Sequence, residues 1–234
     1  MVGIMASRIV LVGGGFAGDP DQLLDDYVLG LAGGDRPRAC FVPTASGDAE
    51  VYIERFHAEL DGRCRTSVLR LFQRGEVEPA TTLGAQDVIY VGGGNTANML
   101  AVWRVHGVDR LLVDAYRAGV LLCGVSAGMI CWFESCSTDS FGPVRPLNDG
   151  LGLLRGSACP HYNTEAPRRP GYRQAVGSGA LPDGWALDDG AAALFSDGEL
   201  VESVTRTPGA RLYRVASDGN GGVLETEVPA RPLG

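Results

Sequence analysis

Val120-Leu121-Leu122-Cys123-Gly124-Val125-Ser126-Ala127-Gly128-Met129-Ile130-Cys131-Trp132-Phe133 decides how this chain is read. An apolar run of strand character enters Gly-x-Ser-x-Gly, and apolar residues of helical character follow at once. A serine in that setting sits on a sharp, strained strand-to-helix turn, with its hydroxyl exposed at the edge of an α/β sheet. The positions two before and two after it must be small, and Gly124 and Gly128 meet that need. The helix that follows aims its first amides and its dipole at charge developing near the serine. Ser126 is therefore the candidate nucleophile. The plainer alternative is a glycine-rich turn that only avoids clashes.

A serine nucleophile needs a base, and the chain has three histidines. His57 lies in an amphipathic stretch and His106 beside a helix end, both settings of surface or capping residues. His161, in Ala158-Cys159-Pro160-His161-Tyr162-Asn163, closes a short apolar run that opens into a polar loop, where catalytic bases are commonly placed. It follows Ser126 by 35 residues. An α/β-hydrolase sets further strands and its acid between nucleophile and histidine, so the spacing calls for another elbow-bearing fold.

Outward from the elbow, apolar runs at 8–12, 39–43, 67–72, 87–91 and 120–125 predict parallel strands covered on both faces. Helical patterns fall between them. One opens with Asp19 as N-cap and Pro20 at the first helical position, and others cover 50–60, 98–105 and 108–118. Towards the end, 191–195 and 200–205 flank Asp197-Gly198, and 211–215 and 223–228 flank a second Gly/Asn/Asp turn. These predict antiparallel strands extending the parallel sheet of one domain, residues 1–234.

Gly13-Gly14-Gly15-Phe16-Ala17-Gly18 formally matches a dinucleotide-binding fingerprint, but the second strand ends in Pro43-Thr44-Ala45-Ser46 without the acid that would hold a ribose. A turn needing permissive backbone is the better reading. Gly92-Gly93-Gly94-Asn95 follows the fourth strand in the same way, where exposed amides could line a site.

The 20 basic residues are all arginine, which excludes Schiff-base and Ser-Lys mechanisms. A net charge of −8 with no basic run speaks against nucleic acid as a partner. Apolar residues make up 45% of the chain and mean hydropathy is +0.04, as in globular proteins. No apolar stretch is long enough to span a membrane, and no signal peptide is expected. The six cysteines form no metal-binding spacing and suit buried thiols of a reduced compartment, so a cytoplasmic protein without metal or cofactor is expected.

Gly92-Gly93-Gly94-Asn95, Gly124-Val125-Ser126-Ala127-Gly128, Ser137-Thr138-Asp139-Ser140 and Pro160-His161-Tyr162-Asn163 together resemble the peptidase E family of aspartyl dipeptidases, in family order over about residues 8 to 200. The resemblance implies a flavodoxin-like α/β fold of the class I glutamine amidotransferase kind, a mostly parallel sheet with helices on both faces and antiparallel strands at the C-terminal end. It implies hydrolysis of dipeptides with an N-terminal aspartate by Ser126 with His161 as base. Gly93 or Gly94 together with Ala127 would form the oxyanion hole, and Asn95 would contact substrate. Asp139 is the expected third member, with Glu134 and Glu165 as competitors. Arg168 and Arg169 are the candidate cations for an aspartyl carboxylate. A small peptide is the expected partner, and a homodimer the expected assembly if the chain is not monomeric. A cyanophycinase-like hydrolase and a non-catalytic ligand-binding protein are the alternatives.

Overall fold

The computed structural model describes residues 6–14, 21–73 and 78–234. Five strands, β1 (Arg8–Val12), β2 (Arg38–Val42), β3 (Arg65–Val68), β4 (Val88–Val91) and β5 (Leu121–Val125), run parallel in the spatial order β1-β5-β4-β2-β3. Side chains alternate along β1, β2, β4 and β5, so each of these strands feeds two cores. Ile9, Leu11, Cys40, Val42, Ile89, Val91 and Leu122 face one side; Val10, Val12, Ala39, Phe41, Val88, Tyr90, Leu121 and Cys123 face the other. Helices α1 (Leu23–Ala32) and α2 (Glu50–Leu60) close the second side through Leu24, Val28, Ile53, Phe56 and Leu60. Helices α3 (Pro79–Leu83), α4 (Thr96–His106) and α5 (Val108–Arg117) close the first with Leu83, Met99, Trp103 and Leu112. This is a mostly parallel α/β sheet with helices on both faces, as the sequence implied.

After β5 the chain departs from expectation. The apolar run that reads as a helix gives only α6 (Ala127–Ile130), one turn long, and then enters a strand. Phe133, Cys136 and the residues between them are needed elsewhere, because the chain builds a second sheet. Strands β6 (Phe133–Thr138), β7 (Arg145–Leu147), β8 (Leu154–Cys159) and β9 (Gly184–Leu187) belong to it, with β6, β8 and β9 parallel. Helix α7 (Arg168–Gly177) covers its outer face through Tyr172, Ala175 and Val176.

The two predicted hairpins form and then separate. Strands β10 (Ala191–Ser196) and β11 (Glu199–Thr205) extend the first sheet, with β10 antiparallel to β1. Strands β12 (Leu212–Ser217) and β13 (Val223–Val228) join the second sheet through β9, and β14 (Arg231–Pro232) returns to the edge of the first. The antiparallel strands thus do not all extend one sheet.

One smaller difference has a local cause. Strand β3 stops before residues 69–72 because the Asp48 carboxylate accepts the amides of Leu71 and Phe72, at 2.6 and 2.8 Å, drawing them off the ladder. The proposed Asp19 cap and Pro20 lie outside the described residues. All six cysteines are buried free thiols. Among the described residues no helix is long and apolar enough to cross a membrane.

Candidate active site

Five strand ends converge. The loops after β1, β4 and β5 of the first sheet meet those after β8 and β9 of the second, at the carboxyl edges where α/β sheets commonly hold ligands. Ser126 follows β5 with φ 55 and ψ −113, a backbone conformation rare for a residue with a side chain and worth about 1–3 kcal/mol of strain. The flanking glycines make it attainable. A Cβ on Gly124 would lie 1.9 Å from the Gly128 carbonyl oxygen, and one on Gly128 would lie 2.2 Å from that of Val91. No side chain fits at either position.

His161 follows β8, also at positive φ (52°), and its Nε2 lies 2.8 Å from Ser126 Oγ. Its Nδ1 lies 2.7 Å from Oδ1 of Asp189, the residue that follows β9 by two positions. An ionised carboxylate only accepts, so Nδ1 carries the proton, and in the neutral ring Nε2 accepts the hydroxyl hydrogen of Ser126. Thr164 Oγ1 donates to the other oxygen, Asp189 Oδ2, at 2.8 Å. Burial pushes the Asp189 carboxyl up, but the hydrogen bond and charge of His161 and the hydroxyl of Thr164 outweigh it. The net shift is downward, and Asp189 is an anion at neutral pH.

The sequence expectation for the acid is corrected here. Asp139 does not reach His161; it is half exposed and pairs with Arg168 Nη2 at 3.3 Å. Glu165 accepts from Arg168 Nε at 2.6 Å, and Glu134 accepts the Gly156 amide at 2.8 Å. The two candidate cations are corrected as well. Arg168 is 3% exposed and is held by Asp139, Glu165 and the Ser137 carbonyl, a buried cation already neutralised on two sides. Arg169 pairs with Glu225 and lies over the rings of Tyr162 and Tyr213. Arg168 thus ties α7 to its neighbours, and Arg169, about half exposed, ties it to β13 through Glu225.

Gly93 lies against the serine: a Cβ there would be 3.3 Å from Ser126 Cβ and 3.7 Å from Oγ. Ala127 opens α6, so its N–H has no acceptor within the helix and is oriented beside Ser126. Gly94, at φ 135, is turned instead against Ala45, whose carbonyl oxygen would lie 2.2 Å from a Cβ. Asn95 is used locally. Its Oδ1 caps α4 at the Asn98 amide and its Nδ2 donates to the Ser140 carbonyl.

The glycine run after β1 acquires a role unrelated to nucleotides. Gly14 packs across the His161–Asp189 contact, where a Cβ would fall 2.2 Å from Asp189 Oδ1 and 2.9 Å from His161 Nδ1. Close approach, not positive φ, demands glycine there. Residues 15–18 of that run lie outside the described residues. The other histidines stand apart from the site: His57 contacts Asp61 and Thr66, and His106 is exposed at the end of α4. Among the described residues no cluster of three or more metal-ligating side chains occurs.

Ser126, His161 and the partly exposed carboxylate of Asp189 thus meet in line on a mostly parallel α/β scaffold. The model of peptidase family S51 matches residues 9–203, and the chain belongs to that family. It is 44% identical to an uncharacterized peptidase, YgaJ, of Bacillus subtilis over 98% of this chain and all of the relative. It is 32% identical to peptidase E of Streptomyces coelicolor over 53% of this chain and 51% of that one. The crystal structure of a peptidase from an acI-B1 actinobacterium superposes with a TM-score of 0.76 at 17% identity, covering 97% of this chain and 96% of the other.

Proposed function

We propose that this member of the family is a serine peptidase acting on short peptides, with Ser126 as nucleophile, His161 as general base and acid, and Asp189 as the third member. The observation that carries this reading is the unbroken chain from Ser126 Oγ through His161 to Asp189, at 2.8 and 2.7 Å. Ser126 attacks the scissile carbonyl carbon as its proton passes to His161 Nε2. The imidazolium so formed is stabilised by Asp189, which keeps its own ionised state. The N–H groups of Ala127 and Gly93 receive the negative charge on the carbonyl oxygen. His161 then protonates the departing amine, and water repeats the sequence to release the acid.

Dipeptides with an N-terminal aspartate are the substrates this reading tries first, on the strength of the peptidase E motifs. Arg168 and Arg169 both already pair with acids of the protein, so the carboxylate contact is assigned to neither. Labelling with a serine-directed fluorophosphonate, followed by peptide mapping, should place the adduct on Ser126. Turnover of an Asp-Leu and Ala-Leu pair should fall by about 10⁴-fold or more in Ser126→Ala. Wild-type rates retained in that variant would refute the mechanism, and an unlabelled, inert wild type would favour a ligand-binding protein.

A further inference from the structure

The turn after β8 grips Asp189 at three points. His161 Nδ1 meets Oδ1 at 2.7 Å, Thr164 Oγ1 donates to Oδ2 at 2.8 Å, and Asn163 Oδ1 accepts the Asp189 backbone N–H at 2.9 Å. The turn is itself anchored. The Tyr162 amide donates to the Leu187 carbonyl at 3.1 Å, while the amides of Thr164 and Glu165 both donate to the His161 carbonyl, at 3.3 and 3.2 Å. So the segment bearing the base also carries two further contacts to the base's carboxylate partner. From the other side the Gly14 main chain closes over the same pair.

A single hydrogen bond from His161 does not fix a carboxylate. The group can rotate about its own side-chain torsions, and with 31% of the Asp189 side chain exposed, water can compete for Oδ2. A donor on Oδ2 removes that rotation, and a β-branched threonine presents its hydroxyl from few rotamers. Holding the Asp189 main chain through Asn163 fixes the origin of the side chain as well. We propose that His161-Tyr162-Asn163-Thr164 is a carboxylate clamp in which Thr164 is a positioning residue. It holds Asp189 in the orientation that keeps His161 in its Nδ1–H tautomer, with Nε2 free to accept from Ser126. Its consequence for rate rests on the serine-peptidase reading; the clamp is defined by the histidine–carboxylate geometry alone.

Thr164→Val keeps shape and loses the donor, whereas Thr164→Ser keeps the donor. Thr164→Val should lower kcat by about 10-fold with KM changed less than about twofold, and Thr164→Ser should restore most of the rate. In an Asp189→Asn background the valine should cost less than about twofold, because a residue acting through Asp189 has nothing left to act on. With three histidines in the chain, the imidazole nitrogen resonances of His161 can be assigned by substitution of His57 and His106. They should report a pure Nδ1–H tautomer in wild type and Thr164→Ser, and a mixed one in Thr164→Val. An unchanged tautomer and kcat in Thr164→Val, or an equal loss in both backgrounds, would overturn the clamp. If the wild type proves inert and unlabelled, the peptidase reading fails, and the tautomer comparison still decides whether the clamp exists.

Discussion

At the scale of single residues, two members of the proposed triad, Ser126 and His161, could be chosen from the sequence, and Asp189 could not. Ser126 announces itself because an elbow imposes small neighbours on both sides, a local constraint written into Gly124 and Gly128. His161 could be chosen because the chain offers few histidines and only one at a strand end. Asp189 carries no such mark, since Asp188-Asp189-Gly190 reads as an ordinary turn. Its partnership with His161 exists only through the parallel pairing of β8 and β9, which sets Cys159 beside Ala186. The one available signal was positional: a carboxylate two residues past an apolar strand, on the same edge as the base. Asp139 fitted the family motif but was taken by Arg168. The two acids can be told apart. Asp189→Asn should lower kcat on the best dipeptide by about 10³–10⁴-fold with little change in thermal stability, because the amide reverses the tautomer that His161 must hold. Asp139→Asn should cost less than about threefold, as its exposed carboxylate pairs away from the histidine. A larger rate loss in Asp139→Asn than in Asp189→Asn would reverse the assignment.

At the scale of elements, near-continuous apolar character made β1, β2, β4 and β5 readable, because strands covered on both faces are apolar throughout and bounded by turn residues. The same apolarity misled the reading beyond Ser126. A buried helix and a buried strand look alike over a short run, and Met129–Phe133 contains the end of one and the start of the other. The short α6 also fits closely beneath the sheet edge. Gly128 sits against the Val91 main chain, and Gly150 packs so near Phe133 that a Cβ would lie 1.9 Å from its carbonyl oxygen. The Val91 contact can be tested. Gly128→Val should depress the melting temperature by several degrees, on the order of 2–4 °C for each kcal/mol lost, and reduce kcat/KM sharply. The added side chain must push α6 off β4 and carry Ser126 with it. A variant melting and turning over like wild type, by calorimetry and dipeptide hydrolysis, would show that the elbow is not packed as described.

At the scale of the whole molecule, the site is assembled from two sheets. Ser126, Gly93 and Gly14 ride on the first, while His161 and Asp189 ride on the second. The 2.8 Å contact between Ser126 and His161 therefore depends on how the sheets dock. Phe195 of β10 is central to that docking. It is 2% exposed and meets two rings of the second sheet edge to face, Phe133 on β6 at 6.3 Å and Trp185 on β9 at 5.6 Å between centroids. Phe195→Leu removes both aromatic contacts while keeping an apolar side chain, at a cost of about 1–2 kcal/mol. Ile53→Val, on α2 at the opposite face of the first sheet, is the matched control, expected to cost about 0.5–1.5 kcal/mol far from the sheet junction. Both variants should remain fully folded well below their melting temperatures. There, Ile53→Val should turn over dipeptides like wild type. Phe195→Leu should lose about 10-fold or more in kcat, because reactive geometries tolerate little displacement and a misplacement of about 1 Å can cost about 10²-fold. The fluorophosphonate labelling rate of Ser126 should fall in parallel, since it needs the same contact with His161. Equal rates in the two variants, once each is normalised to folded protein by circular dichroism, would mean that docking through Phe195 does not set the distance between nucleophile and base.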